Sequence, residues 1–255
     1  MFGCDLHYQT SSDPQTFKRS NPQTFKLSNM HLLSLLHLSD PTLPIGGYTH
    51  SNGLETYVQQ GLVHNAATAA AYIQSMLASN LRYNDAAFAS LAYDAAARND
   101  LDALLLLDEE CSALKIPREI RQASQKLGVR LLKIFSRYLR PAFVQGYEQA
   151  IQQGNASGHY CLMYGIYACL LATPKLDALK AFYYNAAVGM VTNSVKLVPL
   201  GQLDGQDILF RLQPLLRELA SLTMEPDPAW LGCCNPGFDI RCMQHERLYS
   251  RLYMS

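Results

Sequence analysis

Four potential metal ligands lie close together near the end of the sequence, namely Cys233, Cys234, Cys242 and His245. Thiolates and imidazoles are the side chains that bind Zn²⁺ and Ni²⁺. Their spacing matches no recognised zinc finger, and adjacent cysteines rarely bind one ion together. We therefore interpret the thiols as small buried side chains. Direct binding of nickel by these four residues stays open as the alternative.

Signatures of catalysis are absent from the sequence: it has no phosphate-binding loop, Gly-x-Ser-x-Gly elbow, His-Glu-x-x-His pair or Rossmann fingerprint. His50 and Glu55 are five residues apart, and His245 and Glu246 are adjacent. Neither pair has the spacing of facing residues on a helix. We predict that the chain is not an enzyme and holds no cofactor. A helical enzyme of unrecognised type would need a pocket with convergent titratable groups.

The composition indicates a protein whose apolar surface is covered. Twenty-one basic and 21 acidic residues cancel, which argues against bulk electrostatic attraction to nucleic acid or to an anionic membrane. Only 16% of the residues are charged, against about 25% in an ordinary soluble domain. A large core or another protein has to hide the remaining apolar surface, so we expect an obligate protein partner.

Opposite charges are segregated along the chain. Residues 115–140 carry a net charge of +7, with eight basic residues against Glu119, and residues 82–110 carry a net charge of −5. A helix that binds nucleic acid is one interpretation. The acidic stretch just upstream favours mutual neutralisation or a solvated face instead.

The cysteines and the apolar runs bear on location. Seven cysteines are an odd number without paired spacings, and no secretory signal precedes them. This pattern predicts reduced thiols and a cytoplasmic protein. The longest nearly uninterrupted apolar run, residues 160–173, is too short to span a bilayer. We predict a buried helix there and no membrane association.

The elements that position these residues are predicted to be helices. Leu and Ala abound while Val and Ile are few, which favours helix over sheet. We predict an all-α fold, a single domain of about nine or ten packed helices over residues 30–255. Helices are expected at residues 48–60, 65–98 in two pieces, 100–114, 117–139, 141–154, 159–172, 174–198 and 207–223.

Residues 1–29 have a different character. The octapeptide at residues 13–20 (DPQTFKRS) is followed at once by a near copy at residues 21–28 (NPQTFKLS). The segment is rich in Ser, Thr, Gln and Pro and has little hydrophobic periodicity, which is typical of disorder. We predict a disordered extension that the fold does not need.

Two further segments are unusual for core or linker. Residues 39–55 are dense in turn formers and polar groups, and residues 243–255 place Tyr, Leu and Arg at the end of the sequence. A chain end is usually frayed and polar, whereas Tyr and Arg are enriched in the energetically dominant residues of interfaces. We predict that the final segment anchors a partner.

These two segments, with three others, resemble the urease accessory protein UreF family. The matching stretches are Ser39-Asp40, LPIGGYTHSNGLE at 43–55, QKLG at 125–128, His159-Tyr160, Tyr164-Gly165, PLGQLDGQ at 199–206, MQHE at 243–246 and LYSRLYMS at 248–255. The N-terminal repeat departs from the family pattern. Gln125 also departs from it, but Arg121 and Ser124 supply the flanking residues.

The resemblance implies an all-helical protein that is not an enzyme. Members of the family pair with the accessory protein UreD, also called UreH, and with the GTPase UreG. The assembly delivers nickel to apo-urease, and GTP hydrolysis by UreG drives the transfer. The resemblance further implies that the final segment becomes ordered in the partner-bound state and helps to present the surface that UreG recognises.

Two sets of residues follow as candidates. Arg251 can form bidentate hydrogen bonds that Lys could not reproduce. For partner binding we predict Tyr48, His50, Glu55, Gln244, His245, Glu246, Tyr249, Arg251, Leu252 and Tyr253. For a homodimer we predict a helical stripe of Ala181, Tyr184, Ala187 and Val188, broadened by Tyr183. The alternative for the stripe is ordinary core packing.

Overall fold

The computed structural model of the chain describes residues 31–233 and 235–255. The predicted disordered extension, with its tandem octapeptide, lies outside the described residues, and so does Cys234. Over the described residues the chain forms α-helices and no β-strand, which confirms the all-α class.

Eleven α-helices follow one another in the part of the chain that the structure describes. Their bounds are α1 31–38, α2 Leu54–Gln59, α3 Ala66–Ser75, α4 Asp85–Arg98, α5 Leu101–Leu114, α6 Arg118–Phe135, α7 Ala142–Gln152, α8 Tyr160–Leu170, α9 Lys175–Leu197, α10 Gln202–Leu222 and α11 Pro236–His245. Short 3₁₀ turns lie at Gly47–Thr49 and Pro228–Trp230, and a π-helical stretch at Met76–Leu81 links α3 towards α4.

The centre of the fold is α8, the helix predicted to be buried. Residues from Cys161 to Ala168 are almost completely shielded from solvent. Helices α4 and α6 pack closely on it. A Cβ on Gly165 would lie 2.2 Å from the carbonyl oxygen of Ala89 in α4, so only glycine permits this approach. The low charge content therefore reflects, in part, a helix that is apolar all round.

Helix α10 begins five residues earlier than the sequence predicts. The glycines at 201 and 205 favour a loop, but the Asp204 carboxylate accepts a hydrogen bond from the backbone N–H of Gly201 at 3.1 Å and caps the helix. Gly205 then faces α9, where a Cβ would lie 2.8 Å from the Val195 side chain. Tertiary packing has overridden the low helix propensity of glycine.

The helix predicted over residues 48–60 is interrupted. A 3₁₀ turn covers Gly47–Thr49, and α2 begins only at Leu54. Between them the backbones of Asn52 (φ 51°) and Gly53 (φ 79°) are left-handed, which no right-handed helix can accommodate. This break turns the chain so that residues 46–53, which we call the 46–53 turn, face the end of α11.

The segregated charges meet at one place in the interior. Lys115, at the end of α5, is buried and its Nζ lies 2.8 Å from the Asp85 carboxylate at the start of α4. Burial disfavours the charged form of Lys115, but the Asp85 carboxylate, together with Cys111 and Cys161, outweighs burial and raises the pKa of the amine. Other basic residues of α6, such as Lys126 and Lys133, lie on its exposed face. Among the described residues no helix is both long and apolar enough to cross a membrane.

Candidate partner-binding site

The 46–53 turn is held in place from α6. Gly46 has a left-handed backbone (φ 90°), and a Cβ there would lie 2.3 Å from Nη1 of Arg130. The absence of a side chain lets Arg130 donate a hydrogen bond to the Ile45 carbonyl oxygen at 2.8 Å. From α9, Asn193 donates to the carbonyl oxygen of His50 at 3.0 Å. Contacts from α6 and α9 therefore hold the turn in place.

The C-terminal segment, residues 246–255, packs onto this turn. The Met254 N–H donates to the Thr49 carbonyl oxygen at 2.8 Å, and the Ser51 hydroxyl donates to the Ser255 carbonyl oxygen at 2.8 Å. Nδ1 of His50 lies 2.7 Å from the Ser255 hydroxyl. These contacts join residues about 200 positions apart in sequence, so the two unusual segments of the sequence form one site.

Glu55, at the start of α2, holds the backbone of the C-terminal segment. Its Oε1 accepts a hydrogen bond from the N–H of Leu252 at 2.7 Å, and its Oε2 accepts one from the N–H of Tyr253 at 3.2 Å. The carboxylate is buried, so its charge depends on donors of this kind. Glu55 thereby fixes the register of the segment against α2.

His245 lies between two carboxylates at the end of α11. Its Nε2 is 3.2 Å from Glu55 and its Nδ1 is 2.9 Å from Oε2 of Glu119 in α6. Carboxylate oxygens only accept, so a doubly protonated imidazolium satisfies both contacts. The other oxygen of Glu119 accepts from Nη1 of Arg251 at 2.6 Å. We call Glu55, Glu119, His245 and Arg251 the carboxylate–histidine cluster.

The electrostatics differ at the other histidine. Burial lowers the pKa of His50, and the positive charges of Lys126 and Arg130 lower it further, while the Glu119 carboxylate opposes them. A neutral His50 is thus favoured beside Ser255. The two histidines of the site lie in different electrostatic surroundings, because His245 faces two carboxylates and His50 lies near basic residues of α6.

The outer surface of the site is apolar and exposed. Leu252 and Met254 point outwards, being 68% and 59% exposed, while Tyr253 between them is buried. Tyr249 is fully exposed, and Tyr48 on the turn is 73% exposed. The inner contacts hold the backbone while the large side chains remain uncovered in the chain by itself.

The predicted partner-binding residues fall into two groups. His50, Glu55, His245, Arg251 and Tyr253 form the inner contacts. Gln244 accepts from Gln60 at 3.0 Å on the rim, and Tyr48, Glu246, Tyr249 and Leu252 are exposed. Sequence reasoning did not find Glu119, Asn193, Ser51 or Ser255. Glu119 carries the one usable signal, since it is the only acidic residue within the basic stretch 115–140.

The candidate metal ligands do not come together as a set. Cys242 packs behind Gly53, where a Cβ would lie 2.7 Å from its Sγ, and burial raises the pKa of the Cys242 thiol. Both ring nitrogens of His245 already face carboxylates. Cys233 is partly buried near Asn84, and Cys234 is outside the described residues. No group of three or more His, Cys, Asp or Glu side chains within the described part could hold a metal ion.

The predicted dimer stripe requires a correction. Ala187 is completely buried, and Tyr183 is buried with its hydroxyl 2.7 Å from that of Thr223 in α10, so both belong to the core of the chain. At 100° per residue, position 187 lies well away from the face that 181, 184 and 188 share. Tyr184 is 45% exposed, and Ala181 and Val188 are partly exposed.

Comparison with known proteins gives a consistent result. The UreF family profile matches residues 63–213. Urease accessory protein UreF of Actinobacillus pleuropneumoniae serotype 5b is 54% identical over 222 residues, covering 87% of this chain and 98% of that protein. UreF of Haemophilus influenzae strain Rd is 52% identical over 87% of this chain and 94% of that protein. UreF of an Arthrobacter species is 32% identical over 88% and 96%.

Proposed function

The chain belongs to the UreF family of urease accessory proteins and so has a role in urease maturation; we propose that it acts as a helical scaffold, not as an enzyme. In this proposal it joins a UreD/UreH-type partner, recruits and regulates the GTPase UreG, and supports GTP-dependent insertion of nickel into apo-urease in the cytoplasm. Nickel is the cargo of the assembly and not a resident cofactor of this chain.

The surface over the C-terminal segment is the observation that supports this proposal most directly. Its backbone is held by Glu55 and by the 46–53 turn, while Tyr48, Tyr249 and Leu252 remain exposed. Aromatic and other large apolar side chains on a fixed backbone can bind a partner with little loss of conformational entropy. An apolar surface of this kind fits a protein partner better than a small polar ligand.

Arg251 is the residue that tests the proposal. Its side chain is 36% exposed, and its guanidinium reaches inwards to Glu119 at 2.6 Å. It therefore contacts both the support of the segment and the outer surface. Arginine at such a position is typical of the residues that dominate binding energy at interfaces.

We expect Arg251→Ala to weaken binding of the UreD/UreH-type partner, and recruitment of UreG through it, by about 2 kcal/mol, or about 30-fold in Kd. Removal of residues 246–255 should have at least the same effect. Both should be measured by pull-down and by titration of purified proteins. The matched control is Arg247→Ala, an exposed arginine of the same segment, which should bind nearly as wild type.

Circular dichroism of each isolated variant should show an unchanged helical spectrum, since the segment lies outside the main core. Binding of both partners at wild-type strength by Arg251→Ala and by the shortened chain would contradict the proposed role of this surface. Equal losses for Arg247→Ala and Arg251→Ala would contradict the specific role of Arg251.

A homodimer is the second assembly that we propose. The exposed part of α9, with Ala181 and Tyr184, lies beside Leu32 and Leu35 of α1, and Val188 on the same side of α9 is partly exposed. Leu33 of α1 is 70% exposed, and Leu32 and Leu36 are exposed as well. Several exposed leucines on one short helix are unusual. A second copy of the chain that covers this face would remove the exposed apolar surface from water.

A further inference from the structure

Two thiols touch in the core where α5 packs against α8. The Sγ atoms of Cys111 and Cys161 are 3.7 Å apart, and both residues are completely buried. They are 50 positions apart in sequence, so the contact exists only in the folded chain. Neither residue takes part in the candidate partner-binding site.

We propose that Cys111 and Cys161 are a modification site, at which a hydroperoxide converts the two thiols into a reversible intramolecular disulfide. A disulfide sulfur–sulfur bond is about 2.05 Å long, so small side-chain rotations have to close the present separation. The other described cysteines form no comparable pair: Cys169, Cys233 and Cys242 make no contact with another sulfur in this part of the chain.

The surroundings make the two thiols unequal. Burial alone would raise the pKa of Cys111, but the hydrogen bond from Cys161, the nearby ring of His159 and the positive charge of Lys115 together outweigh it and lower the pKa. Burial and the neighbouring Cys111 raise the pKa of Cys161. Cys111 is therefore the sulfur that reacts first as a thiolate, and Cys161 is the thiol that resolves the product.

A cavity lies next to the chain neighbours of the pair. It has a volume of about 350 Å³ and is lined by Asp85, Lys115 and Tyr160, among others. Lys115 lies one helical turn after Cys111, and Tyr160 directly precedes Cys161. Hydrogen peroxide is little larger than water, so it fits this cavity and needs the smallest local opening to reach the buried sulfurs.

The reaction balances in two steps. The Cys111 thiolate attacks one oxygen of the hydroperoxide, the O–O bond breaks, and the leaving alkoxide or hydroxide takes up a proton; Cys111 becomes a sulfenic acid. Cys161 then loses its proton and attacks the Cys111 sulfur, the S–O bond breaks, and water leaves. Both sulfurs are oxidised, the peroxide oxygens are reduced, and the products are one disulfide, one alcohol or water, and one water.

The disulfide would join α5 to α8 covalently. Closing the loop between residues 111 and 161 restricts the unfolded chain, so the oxidised protein should resist thermal unfolding better than the reduced protein. A cellular thiol such as glutathione would restore the dithiol through exchange. The described cysteines of the structure are free thiols, which is the state from which the reaction starts.

The test is mass spectrometry of the full-length folded chain after treatment with hydrogen peroxide. Treated and untreated chains are then denatured with the first alkylating reagent present, so that every free thiol, including the buried ones, takes the first label. Disulfides are next reduced and alkylated with a second reagent, and the chain is digested. Before labelling, the intact treated chain should be monomeric and lighter than the untreated chain by two hydrogen atoms. After labelling and digestion, we expect Cys111 and Cys161 to carry the second label together. Dithiothreitol should reverse the change and lower the melting temperature to its starting value.

Cys111→Ser and Cys161→Ser should each abolish the monomeric disulfide, while Cys169→Ser, on the same helix α8, should leave it intact. If a serine variant does not keep its helical spectrum, Cys111→Ala and Cys161→Ala replace it, because alanine buries no hydroxyl. The proposal is overturned if the untreated and treated chains show the same labelling of both residues. It is equally overturned if the peroxide-dependent disulfide maps to other cysteines or joins two chains.

Discussion

His50 and His245 lie in one site, but different charges surround their rings. His245 faces the carboxylates of Glu55 and Glu119, which only accept hydrogen bonds. Burial and the charges of Lys126 and Arg130 lower the pKa of His50. The C-terminal segment is thus held at one end by the carboxylate–histidine cluster and at the other by His50, whose neutral form is favoured.

His50 should make folding less stable as the pH falls. The unfolded chain protonates this histidine near its ordinary pKa of 6.5, whereas the folded chain does so only at lower pH because its pKa is lowered. Between these two pKa values the unfolded state binds more protons, so the free energy of unfolding falls with pH from about 6.5 downwards and levels off below the folded pKa.

Urea unfolding at about pH 7 and about pH 5.5 should therefore separate wild type from His50→Asn. We expect wild type to lose more stability than the variant over this interval, by at most about 1.4 kcal/mol per pH unit. His64→Asn, at an exposed histidine, is the control and should follow wild type. Parallel pH dependence in wild type and His50→Asn would show that His50 does not carry the effect.

Residue types and local spacing predicted only part of this site. The resemblance pointed to the two segments that contain His50 and Glu55 and His245 and Glu246. Neither histidine forms a hydrogen bond with the glutamate of its own segment. His245 instead binds Glu55 and Glu119, 190 and 126 positions away in sequence. Such contacts depend on how α2, α6 and α11 pack, and no local periodicity reports this. The inward side of Ala187 was missed for the same reason.

At the scale of elements, close backbone approaches set the arrangement around α8. A Cβ on Gly128 of α6 would lie 2.0 Å from the carbonyl oxygen of Gly158 and 2.7 Å from the backbone of His159. Since these are backbone atoms, α6 would have to move away from the start of α8. His159 itself is buried there, with its ring between the hydroxyls of Ser112 and Ser124.

Gly128→Ala should therefore destabilise the chain, by about 1–3 kcal/mol as in other overpacked cores. The matched control is Gly189→Ala in α9, where a Cβ would meet nothing within 4 Å. This control should be neutral or stabilising by up to about 1 kcal/mol, because alanine is the better helix former. Thermal unfolding of both variants measures the contrast, and equal stability of the two would contradict the close approach of α6 to α8.

Helices with strong periodicity or clear caps were predictable, whereas the glycine-containing start of α10 and the short helices α2 and α11 were not. The boundaries of α5, α7 and α9 agree with Asp100, Pro141 and Pro174 as start signals. The sequence did not predict α11. This helix has only ten residues and weak amphipathicity, and the cysteines in and before it were interpreted as buried thiols or metal ligands instead. The left-handed pair Asn52 and Gly53 likewise broke a helix that hydrophobic spacing alone had extended.

At the scale of the whole molecule, two exposed apolar surfaces remain after the core has formed. One lies over the C-terminal segment, around Tyr48, Tyr249 and Leu252, and the other lies over α1 and α9, around Leu32 and Tyr184. A monomer seldom exposes such clusters unless other proteins cover them. The low charge content of the sequence is thus accounted for partly by α8 and partly by surfaces of this kind.

The α1–α9 surface gives the last prediction, which concerns the oligomeric state. Tyr184 is 45% exposed, so Tyr184→Asp leaves the core intact but places a charge in the centre of the proposed dimer face. We expect this variant to be a helical monomer in sedimentation experiments at concentrations where wild type is a dimer. Tyr138→Asp, at a tyrosine 71% exposed at the end of α6, should remain dimeric. A Tyr184→Asp protein that dimerises as strongly as wild type would place the interface elsewhere. Loss of the helical spectrum would instead show that Tyr184 stabilises the fold of the single chain.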